Sequence, residues 1–152
     1  MFFLLIPVFA FYLDYKVKAY IESNKKEGQS ESALGGKITI RRMSNPGAAG
    51  SLLDGKPEVV TRVSGLVLIF MCISFLKEIF KKRNSGIKIG YGLILGGGLS
   101  NFYDRIKKGA VTDYFSFNVK WEKIKRLVFN ISDMFVIAGC VLTIFCNKKV
   151  RS

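Results

Sequence analysis

Four stretches of this chain carry almost no charge, although 23% of its residues are charged and 49% are hydrophobic. These stretches are residues 1–13, 63–76, 89–103 and 127–146. Long apolar segments separated by charged connections are typical of helices that cross a lipid bilayer. This segregation predicts a membrane protein rather than an ordinary soluble domain.

A spanning helix needs about 20 mostly apolar residues, and on a strict count only the last stretch is long enough. Flanking apolar residues can extend the other three, and the side chains of Lys77 and Lys88 can reach the lipid headgroups. We therefore predict a mainly α membrane protein with four transmembrane helices in one integral membrane domain, 1–152. The helices are expected at about 1–21, 61–80, 87–105 and 127–147.

The first stretch also invites comparison with a secretory signal peptide, which begins with basic residues and ends at a cleavage site with small residues. No basic residue precedes Lys16, and Asp14-Tyr-Lys-Val-Lys18 is a poor cleavage site. An uncleaved helix is favoured. In the third stretch, Gly92 and Gly96 have the spacing of small residues that lets helices pack closely. We interpret this as packing within the bundle rather than as a homodimer interface, so a monomer is expected.

The net charge of +13 raises the question of nucleic-acid binding. The basic residues are spread over every polar segment, and no nucleic-acid motif is present. No nucleic-acid partner is therefore expected, and attraction to anionic membrane lipids is favoured. Basic residues are dense in the middle loop and the C-terminal tail, but the other two loops carry more in total. The positive-inside rule alone leaves the orientation open.

The polar connections contain some regular structure. Residues 24–32 are predicted to be a solvated loop, and Lys37-Ile-Thr-Ile-Arg41 alternates as a half-buried strand does. Residues 45–50 are rich in turn-forming residues, and a second alternating pattern covers 111–119. Residues 121–126 resemble a short interfacial helix with its tryptophan at headgroup level. We predict that the two connections form a small sheet on one face of the membrane.

The chain contains no histidine, which excludes Ser-His-Asp and Cys-His nucleophiles and histidine zinc sites. Its three cysteines lie in apolar stretches and include no Cys-x-x-Cys pair, so we predict that they are packing residues rather than nucleophiles or disulfides. The carboxylates remain as the main candidates for acid–base chemistry.

Two carboxylates lie where a membrane protein is least expected to keep charge. Asp133 is inside the fourth apolar stretch, and Asp113 lies in the alternating segment before it. An ionisable residue at membrane depth is costly and indicates a functional site with a nearby partner. Two neighbouring carboxylates that share a proton can activate a water for peptide hydrolysis. This pair predicts an aspartyl hydrolase.

Amides and one arginine accompany these carboxylates at helical spacing. Asn130 lies three residues before Asp133, and Asn101 shares its helix face with Asp104 and Arg105. The amides could orient the carboxylates or a substrate backbone, and Arg105 could pair with Asp104 or hold a carbonyl oxygen. Asp104 could also simply cap its helix end.

Five sequence boxes, in order and over nearly the whole chain, resemble the signal peptidase II family of bacterial membrane proteases. The boxes are Asp14-Tyr-Lys-Val-Lys18, Asn45-Pro-Gly-Ala-Ala49, Gly97-Gly-Leu-Ser-Asn-Phe-Tyr-Asp-Arg105, Gly109-Ala-Val-Thr-Asp-Tyr-Phe115 and Phe129-Asn-Ile-Ser-Asp133.

The resemblance implies a fold and a location. It implies four transmembrane helices in the bacterial cytoplasmic (inner) membrane, with both termini cytoplasmic. A small β-cradle and a short helix would lie on the outer face, with extracytoplasmic segments at about 22–60 and 106–126. The active site would lie near that face.

The resemblance also implies an activity and site residues. It implies an aspartic endopeptidase that removes the signal peptide of diacylglyceryl-modified prolipoproteins by cleaving before the lipidated cysteine. The resemblance implies no metal and no cofactor, and globomycin-type peptide antibiotics would inhibit the enzyme. Asp113 and Asp133 match the catalytic dyad. The substrate-binding positions are Asn45, Gly47, Asn101, Arg105 and Asn130, and the positions that brace the fold are Asp14, Lys18 and Asp104.

The chain departs from the family pattern at several positions. Gly50 stands where an aromatic residue is usual. Ser100 replaces a glycine, Ser132 an alanine and Tyr114 a phenylalanine. Two other functions remain as alternatives: a non-catalytic paralogue that binds lipoproteins, and a small channel or transporter subunit. The strongly apolar character of stretches 63–76 and 127–146 argues against an ion path.

Overall fold

A computed structural model describes residues 2–47, 55–82 and 84–151, with side chains as far as residue 147. Gly50 and the two alanines of the Asn45 box lie outside the described residues. The helices are α1 (Leu5–Asn24), α2 (Pro57–Ile79), α3 (Ser85–Lys108), the short α4 (Glu122–Lys125) and α5 (Ile131–Arg151). The strands are β1 (Ser30–Ala33), β2 (Ile38–Asn45) and β3 (Val111–Phe117).

The helix ends differ from the sequence estimates for local reasons. Helix α2 begins at Pro57, because a proline in the first turn loses no intrahelical hydrogen bond. Helix α3 runs on to Lys108 and stops at Gly109, whose φ of 75° is in the left-handed region that ends many helices. Helix α5 begins at Ile131 rather than at 127, because Phe129 instead pairs with Phe115 of β3.

Helix α3 lies at the centre and packs against α1, α2 and α5. The close approach requires glycine at two adjacent positions. A Cβ atom at Gly96 would lie 2.5 Å from the carbonyl oxygen of Pro7 in α1. A Cβ atom at Gly97 would lie 2.5 Å from the carbonyl oxygen of Ser132 in α5. The small-residue face of α3 thus brings the backbones of α1 and α5 together around it.

The three strands form one antiparallel sheet in the order β1-β2-β3. Ser30 pairs with Arg41, and Asn45 at the end of β2 pairs with Val111 at the start of β3. The prediction of a solvated loop over 24–32 was wrong for β1. The residues of β1 are exposed or half-buried, so its sequence has no alternation of apolar and polar residues. The strand forms because it pairs with β2.

Strand β3 is buried on both faces over its first four residues. The sequence predicted a strand here from the alternating pattern over 111–119, which by itself is typical of a strand with one solvated face. The polar residues Thr112 and Asp113 are nevertheless buried, because α1 and α3 pack against the strand. A buried polar side chain needs hydrogen-bond partners, and the partners of Asp113 define the site described below.

The outer surface of the helices is apolar. Leu66, Phe70 and Ile73 of α2 are exposed, which is typical of a helix surrounded by lipid rather than water. Among the described residues, α2 is the one helix long and apolar enough to cross a bilayer by length and composition, and α5 has a shorter apolar stretch, Ile131–Asn147. The mainly helical fold with a small sheet is confirmed, and the count of four spans stays a prediction.

Candidate active site

The start of α5 is held by hydrogen bonds from its backbone amides to side chains. Asn130 directly precedes the helix, and its Oδ1 accepts a hydrogen bond from the backbone N–H of Asp133 at 2.9 Å. In return, Asp133 Oδ2 accepts one from the backbone N–H of Asn130 at 3.1 Å. This reciprocal arrangement is a capping box, which satisfies amides that a helix end leaves free. It also fixes the orientation of the Asp133 carboxylate.

Asp113 lies on β3, 3% exposed, and faces the same end of α5. Its Oδ1 accepts a hydrogen bond from Asn130 Nδ2 at 2.8 Å, and its Oδ2 accepts one from Asn45 Nδ2 at 2.9 Å. The pKa of Asp113 is raised from 3.8 to about 6, mainly by burial and also by the charge of Asp133, while the two amide hydrogen bonds act to lower it. Asp113 can therefore gain and lose a proton close to neutral pH.

A chain of amides joins the two carboxylates. Asn101 Nδ2 donates to Asp133 Oδ1 at 2.9 Å, and Asn101 Oδ1 accepts from Asn130 Nδ2 at 3.0 Å. Asn130 also donates to Asp113. The structure therefore brings together four residues that the sequence analysis singled out separately, on β3, α3 and α5. Because the two amides are hydrogen-bonded to each other and each donates to one carboxylate, they fix the position of the two carboxylates relative to each other.

Beneath this site lies a buried ion cluster around Lys18, which is 2% exposed. Its ammonium contacts Asp14 Oδ2 at 2.8 Å, Asp104 Oδ2 at 2.9 Å and Asn101 Oδ1 at 2.8 Å. Asp104 therefore does more than cap its helix end: it joins α3 to α1 through Lys18. Since Lys18 also holds the amide that reaches Asp133, the cluster connects the interior of the bundle to the site.

Arg105 extends along the rim of the site toward the segment after β2. Its Nη2 donates to the carbonyl oxygen of Gly47 at 3.0 Å, and its Nη1 donates to that of Asn101 at 3.4 Å. Of the two options left open by the sequence, Arg105 holds carbonyl oxygens rather than a direct ion pair with Asp104. The buried Nε of Arg105 makes no hydrogen bond within the part of the chain that the structure describes.

Both carboxylates open into one cavity of about 500 Å³ between α2, α3 and α5. Its polar end is formed by Asp113, Asp133, Asn101, Asn45 and Arg105. Its other lining is mainly aliphatic, with Val67, Leu68, Met71, Ile94 and Val136 among the wall residues. The cavity thus combines a long apolar wall with a cluster of convergent polar groups, which is the usual composition of a ligand site.

Three residues of the network were missed by the sequence analysis as contributors to the site. Ser100, Tyr114 and Ser132 each donate a hydroxyl hydrogen bond to the carboxylate of Asp14. The sequence feature that could have found them is that each carries a hydroxyl group where the family pattern has glycine, phenylalanine or alanine. Burial raises the pKa of Tyr114 far above its usual range, so its phenol stays a neutral donor.

A helix bundle with an apolar outer surface, a small sheet and two carboxylates that line one cavity is the architecture expected of a membrane enzyme. Two solved structures support this class. Both are of a bacterial membrane enzyme studied by the in meso method, at 2.3 Å and 1.9 Å resolution. The first has a TM-score of 0.84 and 28% identity, and the match covers 99% of this chain and 89% of that one. The second has a TM-score of 0.78 and 28% identity, with 94% and 90% covered.

Residues 6–147 match the family model described as signal peptidase (SPase) II. A lipoprotein signal peptidase of Caldicellulosiruptor bescii is 32% identical over 145 residues, which are 95% of this chain and 89% of that protein. One of Clostridioides difficile is 30% identical over an alignment of 155 positions, which covers 99% of this chain and 100% of that protein. The chain belongs to the signal peptidase II family, and it is therefore a membrane-associated bacterial protease.

Proposed function

We propose that this protein is an aspartic endopeptidase that removes the signal peptide from diacylglyceryl-modified prolipoproteins, cleaving before the lipidated cysteine. Asp113 and Asp133 are its catalytic pair. The observation that carries the proposal is the amide chain through Asn130 and Asn101, which orients both carboxylates toward one cavity. Family membership supports the substrate class.

The reaction needs one ionised and one protonated carboxyl. The ionised carboxylate takes a proton from a water molecule while the oxygen of that water attacks the scissile carbonyl carbon. The protonated member hydrogen-bonds the carbonyl oxygen, and a proton then passes to the leaving amine as the C–N bond breaks. Because neighbouring carboxylates do not both ionise readily, the pair shares one proton and titrates as a unit. The pKa of about 6 at Asp113 suits this exchange near neutral pH.

The apolar wall of the cavity suits the other part of the proposed substrate. A signal peptide has an apolar core segment, and Val67, Leu68 and Met71 of α2 provide an aliphatic surface leading to the carboxylates. An apolar helix that packs against this surface would place the peptide bond after it at the polar end of the cavity. We propose that Asn45, Gly47, Asn101, Arg105 and Asn130 contact the substrate near the scissile bond.

Arg105 has the clearest binding role among these residues. It already holds the carbonyl of Gly47, it lines the cavity, and its buried Nε has no hydrogen-bond partner among the described residues. A guanidinium presents several donors in a fixed plane and suits peptide carbonyls. We expect Arg105→Lys to raise KM more than it lowers kcat, because an ammonium cannot hold the loop carbonyl and a substrate carbonyl in the same geometry.

We further propose the membrane arrangement that the family resemblance implies. Helices α1, α2, α3 and α5 cross the cytoplasmic membrane, both termini are cytoplasmic, and the sheet with α4 lies on the extracytoplasmic side in contact with lipid headgroups. Exposed Trp121 beside α4 supports this placement, since tryptophan is enriched at membrane interfaces. The protein acts as a monomer of one domain, and globomycin-type peptides compete with substrate for the cavity.

The proposal is tested by cleavage of a diacylglyceryl-modified prolipoprotein in detergent, followed as a shift on a gel. Wild type is expected to process the substrate. Asp133→Asn and Asp113→Asn are expected to lose cleavage by about 1,000-fold or more while they still fold and insert, since acid–base catalysis requires both groups. Ser74→Ala is a suitable control, because Ser74 is not among the residues that line the cavity and its hydroxyl bonds to the carbonyl oxygen of Phe70 within α2.

Two outcomes contradict the proposal. If Asp113→Asn and Asp133→Asn cleave at the rate of wild type, the pair is not catalytic. If folded wild type does not cleave a substrate that a control peptidase cleaves, the proposed enzymatic function is wrong and a non-catalytic paralogue that binds lipoproteins is favoured.

A further inference from the structure

We propose that Tyr114 and Ser132 are positioning residues which, by hydrogen bonding to one buried carboxylate, Asp14, hold the strand of Asp113 in register with the helix turn of Asp133. The inference rests on the proposed catalytic pair. It concerns a part of the chain that touches neither substrate nor the reacting atoms.

The hydrogen bonds converge on Asp14, which is completely buried in α1. Tyr114 donates its phenol hydrogen to Asp14 Oδ1 at 2.9 Å. Ser132 donates its hydroxyl to Asp14 Oδ2 at 2.7 Å, and its backbone N–H lies 3.3 Å from Oδ1. Ser100 of α3 donates to Oδ2 at 2.6 Å, and Lys18 neutralises the carboxylate at 2.8 Å.

The two residues stand next to the proposed catalytic ones. Tyr114 follows Asp113 on β3, and Ser132 precedes Asp133 on α5. Tyr114 also crosses directly to the helix, because its phenol oxygen accepts the backbone N–H of Ile131 at 2.8 Å. The Tyr114 hydroxyl therefore accepts a hydrogen bond from the first turn of α5 and also donates one to Asp14 of α1.

Together these contacts satisfy the whole amide end of α5. The N–H groups of Asn130 and Asp133 are bonded within the capping box, that of Ile131 by Tyr114 and that of Ser132 by Asp14. The first amides of a helix have no partner inside the helix, and here those partners come from β3 and α1. Moving β3 relative to α5 therefore breaks hydrogen bonds in a buried site, where they are costly to lose.

The three positions where the chain adds a hydroxyl to the family pattern are the three that meet at Asp14. Tyr114→Phe and Ser132→Ala each remove one hydroxyl with little change in shape. Each is therefore a direct probe of one link in the network.

The test measures kcat and KM of the purified full-length variants on a diacylglyceryl-modified prolipoprotein, per mole of folded enzyme. Amide hydrogen exchange is measured on the same samples. We expect each variant to lower kcat about 10-fold, in line with the loss of a hydrogen bond to a charged group, with KM within about twofold of wild type because no substrate contact is lost. We expect Tyr114→Phe to speed exchange at residues 132 and 133, beyond the Ile131 amide that loses its acceptor directly, and Ser132→Ala to speed it at residues 112–115.

Exchange that speeds up on the other element is the signature that a merely local structural role would not give. Thr143→Val is the matched control, because it removes a hydroxyl from the same helix that bonds only to Gly139. We expect it to leave kcat and the exchange of β3 unchanged. If Tyr114→Phe fails to fold, Ser132→Ala gives the same test at a position where alanine favours the helix.

Unchanged kcat in both variants, with an active wild type, overturns the inference alone. So does faster exchange confined to the substituted element. A wild type that does not cleave overturns the proposed function and this inference together, and the two failures are thereby distinguished.

Discussion

Asn130 and Asp133 cap each other across the first turn of α5, each accepting the other's backbone N–H through a side-chain oxygen. This exchange leaves Asn130 Nδ2 free to donate to Asp113 and to Asn101. One asparagine thus closes the helix end, orients one carboxylate and reaches the other. Stability of the helix end and geometry of the proposed catalytic pair therefore depend on the same side chain.

These two roles of Asn130 can be separated by substitution. Asn130→Ala removes both, and we expect a loss of about 1 kcal/mol from the cap together with a fall in kcat of about 100-fold or more, because Asp113 loses a donor. Asn130→Ser restores an oxygen that can cap Asp133 but not the amide that reaches Asp113. We expect it to recover most of the thermal stability and little of the cleavage, measured by unfolding temperature and by kcat. Full recovery of kcat in Asn130→Ser would show that the link to Asp113 is dispensable.

The sequence predicts those parts of this site that depend on local spacing. Asn130 and Asp133 are three residues apart, so a helix places them within reach of each other. The hydrophobic stretches likewise place the long helices to within a few residues at most ends. Such relations need no knowledge of how the elements pack.

Long-range relations could not be predicted in this way. Asp14 receives hydroxyls from Ser100, Tyr114 and Ser132, which lie on three different elements far along the chain. Strand β1 was missed because a strand with solvated side chains on an edge has no alternating pattern. Both cases depend on the packing of α3 against α1 and α5 and on the order of the sheet, which single-sequence periodicity does not contain.

Asp113 makes the stability of the fold depend on pH. Its pKa rises from 3.8 to about 6 on folding, chiefly through burial, so between these values the folded state binds more protons than the unfolded state. The free energy of unfolding therefore falls as pH rises through this window. The full shift corresponds to at most about 3 kcal/mol at about 1.4 kcal/mol per pH unit.

Asp113→Asn removes this titration. We expect the unfolding temperature of the variant, relative to wild type, to rise between about pH 4 and pH 7 and then to level off. Thermal unfolding in detergent at several pH values measures it. Glu58→Gln, at an exposed carboxylate paired only with exposed Arg62, serves as the control and should show a much smaller trend. A difference between Asp113→Asn and wild type that does not vary with pH would contradict the assigned burial effect.

Lys18 is a buried cation between two buried carboxylates, Asp14 and Asp104. Lys18→Met keeps the aliphatic volume but leaves both carboxylates without their shared partner, and removing one member of a buried ion pair costs about 3–5 kcal/mol. We expect a large drop in unfolding temperature and a poor yield of folded protein. Lys125→Met breaks an exposed pair with Glu122, which is worth less than about 1 kcal/mol, and should be near wild type. Similar unfolding temperatures for the two variants would show that the Lys18 cluster adds little to stability.

Gly97 sets the distance between α3 and α5, and hence the reach of Asn101 to Asp133. In Gly97→Ala the new Cβ would meet the carbonyl oxygen of Ser132 at 2.5 Å, and a backbone atom cannot turn aside as a side chain can. Overpacking of this kind costs about 1–3 kcal/mol, and the shift of α5 should lengthen the hydrogen bond from Asn101 to Asp133. We expect a lower unfolding temperature and reduced kcat together.

Gly98→Ala is the matched control for stability, one residue along the same helix. Its Cβ would meet Leu68 Cδ2 at 2.8 Å, the end of a flexible side chain that can rotate away. Alanine is also favoured over glycine in a helix interior by about 1 kcal/mol, so the two effects should nearly offset each other. If Gly97→Ala and Gly98→Ala have the same unfolding temperature, the helices have room to adjust around an added methyl group at residue 97. The close approach of α3 to α5 then does not fix the position of Asn101 relative to Asp133.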